Sequence, residues 1–204
     1  MALGSLFVSA PLPQLYLARH GATEWSVSGR HTGRTDVPLT PEGERDAAAL
    51  AGSLEGLDFG LVLTSPLQRA RRTCELAGFG ARAEVDSDLA EWDYGDFEGL
   101  TLGEIHARRP GWALFRDGCP GGESVEAVAA RADRVVGRLR GLGGRGLVFA
   151  HGHLLRVLAV RWVGLPAAAG RNLALGTAAV SVLGYQHGRG DPAIVLWNAR
   201  CGAS

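Results

Sequence analysis

Apolar residues along the chain fall into two kinds of run. Continuous runs at 15–19 (LYLAR), 61–65 (LVLTS) and 146–151 (GLVFAH) have the length of strands, and their unbroken apolar character suits strands covered on both faces. Further strands are expected at 179–186 and 193–198, with a weak one near 82–85. Between them the apolar positions recur at helical spacing. Thr40, then Pro41 and the acidic Glu42 and Glu44, marks a helix start running to about Leu54. Pro66 opens a second helix through Ala77, stopped by Gly78. Ser124 caps a long amphipathic stretch to about Leu139, with Val128, Ala132, Val135 and Leu139 on one face. Another helix is expected over His153–Val163 and a shorter one after Thr101. Strands alternating with helices predict an α/β fold with a mainly parallel sheet.

The polar residues that follow the first three strands alter the picture. The chain reads ARHGAT after the first, TSPLQRARRT after the second and AHGHLLR after the third. In a parallel sheet these carboxyl ends open on one edge, where α/β sheets bind ligands. Arg19, His20, Arg69 and His151 would converge there. Guanidinium forks match the tetrahedral oxygens of a phosphoryl group, and helix N-termini expected at Pro66 and Gly152 favour an anion as well. A lone strand-end histidine is more often structural, and Arg69, Arg71 and Arg72 alone would read as a solvated helix face. Three strand ends with the same chemistry outweigh those separate readings.

Composition narrows the classes. The chain has 204 residues and a formal net charge of +0, so no global field draws it to nucleic acid or an anionic membrane. All 21 basic residues are Arg, which excludes a lysine Schiff base or a P-loop. Cys74, Cys119 and Cys201 have no framework spacing, which fits a reducing, cytoplasmic setting and argues against structural zinc. Residues 1–13 read as an N-terminal extension without the basic start of a signal peptide, and 14–204 as one domain.

The motifs LARHGATEW, HTGRTDVPLT, SPLQRARRT, AEWDYGDFEG and AHGH, in that order, resemble those of the histidine phosphatase superfamily, the phosphoglycerate-mutase-like group, in its phosphatase branch. The resemblance spans residues 15 to about 160. It implies a three-layer α/β/α sandwich and a metal-independent phosphomonoesterase without cofactor. His20 would be the nucleophile that becomes phosphohistidine, while Arg19, Arg69 and His151 would form the phosphate pocket. Glu91 would be the general acid and base once burial favours its neutral form, with Glu98 second in line. Thr23, Thr32, Gly33 and Gly152 would bind substrate around the pocket. Among the other histidines, His31 falls where the family often has an aromatic and could touch substrate. His153 is balanced between substrate contact and structure, and His106 and His187 are expected on the surface.

Two departures bear on the reaction. Ala22 stands where many members have a carboxylate, and Ser26 where the mutases have Asn. The segment from Tyr94 to Glu123 is short, with only Arg108, Arg109 and Arg116 as cations, and its Trp112 and Phe115 suggest a partly apolar lid. Water is therefore the expected acceptor and a small phosphate ester the expected partner, with a homodimer open. A cofactor-dependent phosphoglycerate mutase is the rival within the superfamily. A non-catalytic phosphate- or phosphoprotein-binding module is the rival outside it, though binding alone would need neither His20 nor Glu91.

Overall fold

A computed structural model describes residues 12–200. Most of the expected N-terminal extension, and Cys201, lie outside those residues. Six strands form one sheet: β1 (Gln14–Arg19), β2 (Leu61–Thr64), β3 (Glu84–Val85), β4 (Arg145–Ala150), β5 (Ala179–Tyr185) and β6 (Pro192–Arg200), in the order β3-β2-β4-β1-β5-β6. The first four pair in parallel, while β5 runs antiparallel to both β1 and β6. The weak strand expected near 82–85 shrinks to two residues, because 80–82 winds into a 3₁₀ turn.

Strand alternation sorts side chains to two cores. Leu15, Leu17, Val148 and Ala150 face a cluster built with helices α6 (Val125–Arg140) and α7 (Gly152–Trp162). Ala18, Leu147 and Phe149 face the other, where α2 (Pro41–Leu54) supplies Leu50 and Leu54 and α3 (Gln68–Leu76) supplies Cys74. This is the expected three-layer arrangement. Short helices α1 (Glu24–Val27), α4 (Leu102–Arg108) and α5 (Leu114–Asp117) lie in the connections.

Helix starts follow the cap residues. Thr40 accepts a hydrogen bond from Gly43 N at 3.0 Å, and Ser124 caps α6 through Ala127 N. Pro66 does not open α3, which starts two residues later. Ser65 Oγ accepts from Leu67 N, and Asp36 reaches over to accept from Gln68 N at 2.8 Å, so a distant carboxylate sets the helix start.

The register places Arg19 beside Ala150 and Thr64 beside Phe149. The residues that follow, His20, Ser65 and His151, therefore leave the sheet at one edge.

Candidate active site

His20 is 4% exposed, and its Nδ1 lies 2.7 Å from the Gly21 carbonyl oxygen. A carbonyl only accepts, so Nδ1 carries the proton and Nε2 keeps its lone pair. Burial first, then Arg19 and Arg69, holds its pKa well below the usual histidine value. Glycine is required next in the chain. A Cβ on Gly21 would sit 2.2 Å from the Gly43 carbonyl oxygen, so the backbone leaving β1 is pressed against the first turn of α2.

Arg19 donates through Nη1 to the Leu175 carbonyl, while its buried Nε has no protein partner. Its guanidinium lies over the start of α7, where a Cβ on Gly152 would be 3.1 Å from Cζ. The absent side chain lets cation and helix N-terminus share one spot. His151 is fully buried, its ring centroid 5.2 Å from that of His20. Arg69 Nε donates to its Nδ1 at 3.2 Å, so the neutral ring presents Nε2–H to Ser65 Oγ at 2.7 Å. Burial and then Arg69 depress its pKa as well.

Glu91 is 7% exposed and sits against the amino end of α7. Oε1 accepts from Trp92 N and Leu154 N, both at 2.9 Å, and Oε2 accepts from His153 N at 3.0 Å. Its burial is met by three backbone donors, two of them at the N-terminus of α7, which hold the carboxylate in place. The segment that carries it is tied to α6. Arg131 donates to the carbonyls of Asp88, Ala90 and Glu91 and forms a two-pronged pair with Glu123.

These residues surround a cleft of about 200 Å³ at the carboxyl edge of the sheet. Arg19, His20, Thr32, Glu91 and Gly152 line it, as expected. Five expected residues stand behind that surface. Arg69 gives its guanidinium to the carbonyls of Thr32, Gly33 and Thr35, so it holds the loop that forms the rim. Glu98 holds the same loop from its amides, accepting from Gly33 N and Thr35 N; it is thus committed to the rim and kept out of the cleft. Gly33 is where this clamp closes, since a Cβ there would meet Glu98 Oε2 at 2.5 Å. His151 packs beneath His20. Thr23 is wholly buried as the cap of α1, in a reciprocal box with Ser26, and it is Ser26 that reaches the cleft.

The lid expected from Trp112 and Phe115 is a correction: both are buried in the core, Trp112 under His31 and Phe115 under His153. Arg108, Arg109 and Arg116 are exposed and do not line the cleft. The cations that do, beside Arg19, are Arg30 and Arg156. Sequence reading missed both. For Arg156 the signal was present, because it lies four residues beyond Gly152 and so on the same helix face. Among the described residues no group of three His, Cys, Asp or Glu side chains gathers as metal ligands.

An unprotonated ring nitrogen, an unpaired guanidinium donor and a carboxylate around one small cleft suit transfer of a phosphoryl group. Comparison with known proteins points the same way. The family model for the histidine phosphatase superfamily (branch 1) matches residues 15–200. The chain belongs to that superfamily. It is 46% identical to the acid phosphatase of Mycobacterium tuberculosis over 180 residues, 86% of this chain and 88% of the other. It is 36% identical to a probable phosphoglycerate mutase of Cronobacter sakazakii over 183 residues, 85% of each chain. The solved structure of the product of open reading frame Rv3214 of Mycobacterium tuberculosis superposes with a TM-score of 0.86 at 39% identity, over 92% of this chain and 97% of that one.

Proposed function

We infer that the chain is a histidine phosphatase that hydrolyses small phosphate monoesters, without a metal, through a phosphohistidine at His20. The observation that carries this reading is the His20 ring, with Nδ1–H tied to Gly21 and an uncharged Nε2 at the cleft. In the first step Nε2 attacks phosphorus as the ester P–O bond breaks, and Glu91 passes a proton to the departing oxygen. In the second, Glu91 takes a proton from water. The oxygen of that water attacks phosphorus, and the P–N bond breaks to release inorganic phosphate and restore His20. Arg19 and the start of α7 meet the charge on the equatorial oxygens, and His151 and Arg69 support His20 from beneath.

Hydrolysis is favoured over mutase chemistry because the cations of the Tyr94–Glu123 segment point to solvent, away from the cleft. A reducing, cytoplasmic location is supported by the buried free thiols Cys74 and Cys119. No helix among the described residues is long and apolar enough to cross a membrane. A homodimer is supported by the edge strand β6, which exposes Val195 and Leu196.

The test is a brief incubation with ³²P-labelled ester followed by denaturation. Label on His20 that is lost in acid and kept in base, with activity undiminished by EDTA, is the expected result. Label stable to acid, or activity restored only by added metal, would overturn the mechanism. With 3-phosphoglycerate and catalytic 2,3-bisphosphoglycerate, phosphate release should exceed isomerisation. The reverse would establish the mutase.

A further inference from the structure

The charge that Arg19 brings to the cleft is useful only if its guanidinium is held in one pose. Arg19 Nη1 donates to the Leu175 carbonyl, within residues 173–178, which lead into β5. A carbonyl in such a connection is free to turn unless its peptide is fixed at the other end. The N–H of that same peptide belongs to Gly176, and it donates to Asn198 Oδ1 at 2.7 Å. A donating N–H identifies the facing amide atom as the oxygen. One peptide plane is thus pinned at both ends, by Arg19 through its oxygen and by Asn198 through its nitrogen. The bonds run head to tail from guanidinium to peptide to side-chain amide, and in such a chain each bond polarises the next.

Asn198 does not line the cleft. It stands on the edge strand β6, where pairing with β5 is irregular. Val180 lies opposite Ala199 and Val182 opposite Leu196, so Trp197 and Asn198 together face Ser181 alone. This is a β-bulge, which re-aims side chains. Asn198 has φ 59°, in the left-handed region that Asn tolerates better than most residues. Its N–H leaves the ladder for Oγ of the fully buried Ser181, at 3.0 Å. Both bulge residues reach the same segment, since Trp197 Nε1 donates to the Ala174 carbonyl at 2.6 Å. Further along it, Ala178 N donates to the His20 carbonyl at 3.0 Å. The segment held by the bulge is therefore the one on which Arg19 and the backbone of the nucleophile both rest. The extra residue and the left-handed backbone interrupt the β5–β6 ladder, so their use lies in what these side chains reach.

We propose that Asn198 is a positioning residue for phosphoryl transfer: through the Leu175–Gly176 peptide it fixes the Arg19 guanidinium, so that the remaining donors of Arg19 meet the equatorial oxygens. The inference rests on the phosphatase reading above. Nη1 is committed to the protein, while the buried Nε has no protein partner. Tied to a peptide that could turn, the guanidinium would sample poses that miss the transferred group. A misplacement of about 1 Å can slow catalysis about 10²-fold.

The test is a double-mutant cycle on kcat/KM for p-nitrophenyl phosphate, whose good leaving group keeps slow variants measurable. Asn198→Gly removes Oδ1, and glycine adopts the left-handed backbone without strain, so the bulge itself survives. Alone, it should lower kcat/KM about ten- to hundredfold. In an Arg19→Ala background the same change should lower it less than about twofold, because the group that Asn198 positions is gone. Asn198→Asp keeps the acceptor and should recover most of the loss. An Asn198 that served the fold alone would lower the melting temperature and leave kcat/KM, measured well below the melt, unchanged in Asn198→Gly. That result, a loss equal with and without Arg19, or an Asn198→Asp enzyme as slow as Asn198→Gly would overturn the inference while phosphate release stands. If wild type released no phosphate from p-nitrophenyl phosphate, the phosphatase reading would fail and this inference with it.

Discussion

Gly21 and Gly43 meet backbone to backbone, and a Cβ on Gly43 would lie 2.1 Å from the Ala22 carbonyl oxygen. The strand end that carries His20 is therefore docked through atoms that cannot move aside. Gly21→Ala should lower stability by about 1–3 kcal/mol, the usual cost of overpacking, and lower activity with it by displacing His20. Gly52, in α2 with open space where its Cβ would go, is the contrast. Gly52→Ala should raise stability by about 0.5–1 kcal/mol. Urea midpoints for the two variants check both signs, and equal effects would refute the close-contact argument. At Glu91 the question is chemical. Glu91→Gln should slow alkyl phosphate hydrolysis by about 10²–10⁴-fold, the range of general acid–base help. Phosphorylation by p-nitrophenyl phosphate should suffer much less, since nitrophenolate leaves without a proton. Equal losses in that step would move the acid role to another residue.

At the scale of elements, the helices and strands with strong local signals were readable, and those set by distant partners were not. Thr40 and Ser124 mark their helices because the capping oxygen is local. The start of α3 was misplaced because Asp36, 32 residues away, makes the decisive bond. The same division runs through the site. His20, Arg19 and Gly152 follow strand ends and were legible, and the resemblance added Glu91. That Arg69 and Glu98 clamp the rim loop from its two sides, that Thr23 is a cap, and that Trp112 lies in the core depend on tertiary packing that no periodicity encodes. The segment bearing Glu91 gives a test of such packing. Arg131 is 7% exposed and holds three of its carbonyls together with Glu123. Arg131→Met would leave three carbonyls without their donor and the half-buried Glu123 carboxylate with only Asp93 N, which should cost about 1–3 kcal/mol. A thermal melt should show that loss, whereas Arg134→Met, which removes a largely exposed guanidinium from Asp88, should change stability by less than about 1 kcal/mol.

For the whole molecule, the consequence of gathering histidines and arginines at one buried edge is a dependence of stability on pH. Burial, reinforced by Arg19 and Arg69, lowers the pKa values of His20 and His151 well below 6.5, the value expected in the unfolded chain. Above that pH both states are neutral at these positions and the histidines add no slope. Below it the unfolded chain takes up protons that the folded chain refuses, so stability falls as pH drops from about 6.5 towards the depressed folded values. Each such group contributes at most about 1.4 kcal/mol per pH unit in that window. Carboxylates with lowered pKa act elsewhere: Asp88, held down by Arg134, loses its contribution only as pH falls below the ordinary aspartate value of 3.8. Between about pH 6.5 and 4 the histidines should therefore dominate. The nucleophile itself stays uncharged through the upper part of this range, so the acid limit of activity should track unfolding rather than protonation of His20. Urea midpoints at pH 7.5, 6.5, 5.5 and 4.5 should be level between the first two and then decline, and His151→Phe should flatten the decline. A midpoint constant from pH 7.5 to 4.5 would mean that these rings accept protons as readily folded as unfolded, and the neutral His20 on which the attack on phosphorus depends would lose its electrostatic basis.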